Sequence, residues 1–224
     1  MKKVLIIIYA LISCGILYFV EQSVGVSYLI KSSLKLVLFV VLPMLYLRKN
    51  QSQGDVKKFK LDRNNFSNLK HAFIFGILGA LLIIILGIVF SPTIDFVSLR
   101  LELAEKLKVT KSVFIFVALY ITFINSFIEE FFFRGIVYLG LDSEGRRLVG
   151  SLFSGILFGL YHMAMFASWF SPLLVFICVL GLSLVGVFFN YINTRTKSFL
   201  NSWIIHIIAD TSIMAFGYFM LYIK

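Results

Sequence analysis

Phe127-Ile128-Glu129-Glu130-Phe131-Phe132-Phe133-Arg134-Gly135 sets two adjacent carboxylates and an arginine inside an otherwise apolar run. Charges inside an apolar segment are expensive. Where they occur, they face a bundle interior and mark a functional site. The fold class and the candidate chemistry both follow from how the rest of the chain accommodates these three residues.

The chain is 60% hydrophobic and only 14% charged, with a mean hydropathy of +0.96. A soluble domain carries about 25% charged residues. So much apolar surface cannot be hidden in a water-facing fold, and the composition implies a polytopic membrane protein. The apolar runs are continuous rather than alternating, which selects helices over barrel strands. The net charge of +10 does not call for nucleic acid, because basic residues collect in loops that face anionic lipid. Cys14 and Cys178 both fall in apolar runs and read as core thiols.

Seven spans of suitable length are legible. The first covers 4–20. It begins like a secretory signal, and Leu11-Ile12-Ser13-Cys14 loosely resembles a lipoprotein cleavage box. The apolar run continues to Val20, where a processed chain would turn polar, so the segment reads as an uncleaved span. The second covers 28–47, with Lys31 and Lys35 in its first half. Those lysines must snorkel outward or face a partner. A basic linker follows over 48–71, and the third span covers 72–90. Ser91-Pro92 breaks that helix, and 97–108 mixes leucine with both charge signs, as in a short surface helix. The fourth span starts near Ser112 and carries the Glu-Glu stretch. The remaining three cover 148–166, 172–191 and 199–223.

With the N-terminus inside, the inner segments hold 13 Lys and Arg and the outer segments 6. This bias predicts a cytoplasmic N-terminus. No internal repeat or second domain is visible. The expected architecture is an all-α bundle of about seven transmembrane helices in one domain, 1–224. Residues 1–111 supply the N-terminal spans and basic linker, and 112–224 the core that bears the chemistry.

Six ionisable residues lie within the last four spans: Glu129, Glu130, Arg134, His162, His206 and Asp210. Residues four apart on a helix share a face. Glu130 and Arg134 have that spacing, with the acid N-terminal, and read as a local pair. Glu129 is rotated about 100° from that face, outside the pair, and is the better base. Asn125 lies four residues before Glu129 and is expected to hydrogen-bond it. His206 and Asp210 are four apart, as are Phe158 and His162, where Phe158 is a candidate wall for the imidazole.

A hairpin folded at 142–147 brings Glu129 and His162 to similar depth, roughly 15–22 Å from the turn at the helical rise. His206 and Asp210 enter from the same side to roughly 10–17 Å by the same rise. A carboxylate with a histidine activates water as a general base, and a second histidine can donate to a developing oxyanion. That is the chemistry of acyl-bond hydrolysis. Neither Ser126 nor Cys178 is placed as an obvious nucleophile. Two histidines and a glutamate also make a zinc set, but the His-Glu-x-x-His spacing is lacking. No cofactor is therefore expected, with zinc as the competing chemistry. Interhelical glue, histidines on backbone carbonyls and an ion path are the non-catalytic readings. Three half-sites at matching depth favour an active site over these.

The motifs resemble those of the CPBP intramembrane proteases, a family that includes the type II CAAX prenyl proteases and bacterial bacteriocin-processing and self-immunity (Abi) proteins. Glu129-Glu130-Phe131-Phe132-Phe133-Arg134 is similar to its Glu-Glu-x-x-x-Arg motif, Phe158-Gly159-Leu160-Tyr161-His162 to Phe-x-x-x-His, and His206-Ile207-Ile208-Ala209-Asp210 to His-x-x-x-Asn/Asp. Thr196-Lys197-Ser198-Phe199 resembles the Thr-Gly-Ser-Leu that stands before the last histidine. The likeness covers about 113–210. It implies a glutamate-type endopeptidase without a metal. Glu129 and His162 would activate water, His206 and Asp210 would form the oxyanion site, and Glu130 and Arg134 would support them. Prenyl-type members tend to carry Asn where this chain has Asp210. An ionised Asp would repel an oxyanion, so Asp210 must be protonated or act by orienting His206. The implied partners are a membrane-associated peptide or protein substrate and the lipid bilayer, in a bacterial plasma membrane. The role would lie in peptide maturation or bacteriocin self-immunity, with a catalytically silent immunity or scaffold protein as the alternative.

Overall fold

The computed structural model describes residues 3–23, 26–49, 69–106, 108–143, 145–167, 169–196 and 198–223. Most of the basic linker, and Lys197, lie outside the described residues. Every regular element among the described residues is helical: α1 (Lys3–Gln22), α2 (Tyr28–Lys49), α3 (Leu69–Phe90), α4 (Phe96–Lys106), α5 (Phe114–Asp142), α6 (Arg147–Phe166), α7 (Pro172–Thr196) and α8 (Leu200–Tyr222). All but α4 are long and apolar enough to cross a membrane, which makes the chain a multi-pass membrane protein. The second span, with its two lysines, forms a full-length helix.

Two of these helices change pitch where the sequence places its charges. In α2, Val37–Val41 is π-helical and begins two residues after Lys35. In α5, Phe131–Tyr138 is π-helical and begins directly after Glu130. Tyr120–Asn125 forms another π segment in α5. Such segments widen the helical turn and are frequent at functional sites.

The contacts fall into two compact units. The first holds 1–67 and 128–202, and so contains α1, α2, the second half of α5, α6, α7 and the start of α8. Its centre is aromatic. Phe39 from the α2 π segment stacks on Phe132 from the α5 π segment at 3.8 Å and 1°. Phe133 sets its edge against Phe39, Phe132 and Phe158. The Tyr9 hydroxyl of α1 donates to the Leu38 carbonyl within the α2 π segment, and Ser154 Oγ donates to the Phe133 carbonyl at 2.8 Å.

Helices α6 and α7 meet backbone to backbone. A Cβ at Gly159 would lie 2.2 Å from Ser183 Oγ and 2.5 Å from the Val179 carbonyl oxygen. One at Gly155 would lie 2.8 Å from the Val187 nitrogen, and one at Gly186 would lie 2.8 Å from the Gly155 Cα. Without a hydrophobic drive in lipid, such close approach of small residues is what holds spans together. The turn between α5 and α6 closes through Gly145, at φ +76°, and an Arg147 Nε to Asp142 Oδ1 bond of 3.0 Å.

The second unit holds 68–127 and 203–224: α3, α4, the first half of α5 and most of α8. Helix α4 is capped by Asp95, which accepts from the Val97 and Ser98 amides at 3.1 and 3.0 Å. It packs on a cluster of Val109, Phe114, Ala118 and Leu221. Gly76 and Gly87 of α3 lie against Ile208 and Phe216 of α8.

The α6–α7 contact leads to a direct expectation. Gly159→Ala lowers stability by about 1–3 kcal/mol through overpacking. Gly181→Ala, whose added Cβ meets nothing within 4 Å, changes it by less than about 0.5 kcal/mol. Thermal unfolding of both variants in detergent measures the difference.

Candidate active site

Each of the two adjacent glutamates has a cation of its own. Glu130 is fully buried, and its Oε1 lies 3.1 Å from Arg134 Nη1 one turn along α5. Its Oε2 accepts from the Ser202 hydroxyl, which in turn accepts from Asn193 Nδ2 at 2.7 Å. The Arg134 guanidinium, also fully buried, stands 4.0 Å from the Phe158 ring centroid and 5.0 Å from that of Phe189. A cation over aromatic rings is favourable, and arginine suits such a place better than lysine.

Glu129, which the spacing places outside the Glu130–Arg134 pair, takes its cation from another helix. Lys35 Nζ of α2 lies 2.5 Å from its Oε1. Both residues are buried, at 6% and 2% exposure. The Lys35 ammonium also stands 5.0 Å from the Tyr161 ring centroid and 5.9 Å from that of Phe39. Of the two choices the sequence left Lys35, it takes a partner. Lys31 pairs with Glu21 at 3.1 Å.

The second Glu129 oxygen, Oε2, lies 3.6 Å from His162 Nε2. His162 Nδ1 is 2.8 Å from the Phe158 carbonyl oxygen. A carbonyl can only accept, so Nδ1 donates to it, and Nε2 is the ring nitrogen that faces Glu129. The Phe158 ring lies edge-on to the imidazole, with centroids 4.5 Å apart. Tyr161 flanks it at 5.1 Å. The arrangement is a carboxylate and an imidazole facing each other across a gap, with the far side of each fixed by a second group. Such a pair can take a proton from water.

In the second unit, His206 Nε2 lies 3.6 Å from Asp210 Oδ1, both residues being buried. Asn125 ends a π segment in that unit. Ser126 is tied into its helix: its hydroxyl donates to the Thr122 carbonyl and accepts from Trp203 Nε1 at 3.1 Å. Cys14 and Cys178 are free thiols. Among the described residues no three His, Cys, Asp or Glu side chains group closely enough to hold a metal ion. At Glu129, the Lys35 ammonium stands against the carboxylate that a metal cation would need.

Sequence reasoning missed Lys35 and Tyr161 beside Glu129, and Ser202 and Asn193 beside Glu130. The only available signal was the cost of a lysine within an apolar span.

Removing one member of a buried ion pair strands the other. Arg134→Met is expected to cost about 3–5 kcal/mol. Arg134→Lys leaves most of the deficit, because lysine lacks the stacking plane. Glu130→Gln combined with Arg134→Met is milder than Arg134→Met alone. Thermal denaturation in detergent ranks the three.

Residues 111–212 match the family described as type II CAAX prenyl endopeptidase, Rce1-like. That segment contains Glu129, Glu130, Arg134, Phe158, His162, His206 and Asp210, and excludes Lys35. No curated protein and no solved structure matches the chain. Residues 111–212 of this seven-span helical membrane protein thus form an Rce1-like domain of the CPBP/CAAX protease family.

Proposed function

We propose that the chain is a glutamate-type intramembrane endopeptidase that hydrolyses a peptide bond of a membrane-associated protein or peptide. The observation that carries this reading is the 3.6 Å gap between Glu129 Oε2 and His162 Nε2. A water hydrogen-bonded to both acceptors loses its proton to one of them as its oxygen attacks the scissile carbonyl. The tetrahedral oxyanion then collapses, and the amine leaves with the proton that the water gave up. His206 donates to the oxyanion. Asp210 acts through His206, which it faces at 3.6 Å, because an ionised carboxylate at the oxyanion itself would be repulsive. No metal takes part.

The family name points to prenylated CAAX substrates. The Phe-, Ile- and Lys-rich composition of a chain with 25 Phe suits a bacterial plasma-membrane protein instead, acting in peptide maturation or bacteriocin self-immunity. The lysine and arginine bias supports an N-terminus on the cytoplasmic side.

The test is a comparison of membrane peptidomes from cells expressing wild type and single variants. Glu129→Gln and His162→Ala are expected to remove a common set of cleavage products, with a rate loss of about 10²–10⁴-fold for a missing general base. Both proteins should still insert. Ser126→Ala and treatment with a zinc chelator leave the product set unchanged. Wild-type peptidomes from both Glu129→Gln and His162→Ala would sink the enzymatic reading in favour of a silent binding protein.

A further inference from the structure

The matched family domain begins at residue 111, yet a cation in direct contact with the candidate base comes from far outside it. Lys35 stands on α2, 94 residues before Glu129. Several features fix it there. Phe39, one turn along α2, is stacked on Phe132, three residues beyond Glu129. The π segment that carries Phe39 is held by Tyr9 of α1. Lys35 Nζ then points at Glu129 Oε1 at 2.5 Å, and Tyr161 closes its other side. The charged and titratable groups around the carboxylate are Lys35 from α2, His162 and Tyr161 from α6, Glu130 and Arg134 from α5, and Cys14 from α1.

The two Glu129 oxygens thus have different assignments. Oε1 belongs to Lys35, and Oε2 faces His162. A carboxylate rotates about its terminal torsion with little resistance. In an apolar surrounding it also tends to take up a proton unless a cation is adjacent. A protonated or turned Glu129 could not act as a base. Lys35 opposes both changes.

We infer that Lys35 is a positioning residue of the active site, which keeps Glu129 as a carboxylate with Oε2 aimed at His162, so that α2 is a required part of a site whose remaining groups lie within the family domain. The catalytic part of this inference rests on the proposed peptidase reading. The pairing part does not.

The experiment uses the full-length protein in detergent with Lys35→Met, Lys35→Arg, Glu129→Gln and the Lys35→Met/Glu129→Gln double variant. Lys35→Met is expected to lower the thermal midpoint by about 10 °C, the loss expected for a broken buried pair. The double variant, with no charge left to strand, regains at least half of that. Infrared difference spectra of Lys35→Met gain a protonated carboxylic-acid band that wild type and the double variant lack. In the peptidome assay, Lys35→Met loses the Glu129-dependent products at least 100-fold per folded molecule, and Lys35→Arg retains at least a tenth of them.

A double variant no more stable than Lys35→Met, or one that fails to insert as Lys35→Met does, overturns the pairing. So does the absence of the acid band. Wild-type product levels from folded Lys35→Met overturn the positioning role. If Glu129→Gln itself leaves the peptidome unchanged, the peptidase reading fails, while the thermal and infrared comparisons still decide the pairing.

Discussion

Two neighbouring carboxylates cannot both stay ionised in an apolar bundle unless each has its own counter-ion, and most of the first unit is arranged to meet that condition. Adjacent helical residues point about 100° apart, and each carboxylate here has a different cation directly against it. Arg134 reaches Glu130 from within α5, and Lys35 reaches Glu129 from α2. The two solutions differ in kind. The arginine stands over the Phe158 and Phe189 rings, and its carboxylate is further bonded by Ser202. The lysine is a point charge on one oxygen of a carboxylate whose other oxygen faces a histidine. The first arrangement uses both oxygens and leaves Glu130 no room for chemistry. The second turns the other oxygen to His162.

The surrounding scaffold fixes these groups through backbone contacts. The π segments in α2 and α5 pack against each other through the Phe39–Phe132 stack, next to the residues that carry the charges. Helix α6 is pressed onto α7 at Gly155 and Gly159. His162 follows Gly159 by three residues, and its ring is bonded to the carbonyl one turn back. Its position is therefore set by main-chain atoms on both sides. The phenylalanines between Glu130 and Arg134 are more than spacers. Phe132 and Phe133 are fully buried and join α2, α5 and α6 in one aromatic core.

The helical class and the spans were legible because apolar runs of about 20 residues have few other uses. The Glu130–Arg134 and His206–Asp210 pairs were legible because spacing along one helix determines which side chains share a face. Lys35 as the partner of Glu129 was not. Nothing in the spacing of two residues 94 apart says which face of α2 meets which face of α5. The sequence conveyed only that a lysine in that span needed a reason. The π segments were hidden too, since Val37–Val41 and Phe131–Tyr138 contain no residue that distinguishes a π turn from an α turn. Ser202 and Asn193 looked like ordinary polar residues near helix ends, and only their contacts reveal the bond to Glu130.

The distance along the chain between Lys35 and Glu129 also bears on how the protein is made. Helices enter a bilayer in order of synthesis, and a charge near the middle of a span opposes insertion by roughly 2.5–3.5 kcal/mol. Helix α2 reaches the membrane carrying a lysine whose carboxylate has not yet been translated. Helix α5 arrives later with one carboxylate already neutralised by Arg134 and one not. Each helix then lacks the charge that the other supplies. The Lys35–Glu129 contact lowers both costs at once, so the same pair of atoms bears on insertion as well as on the site.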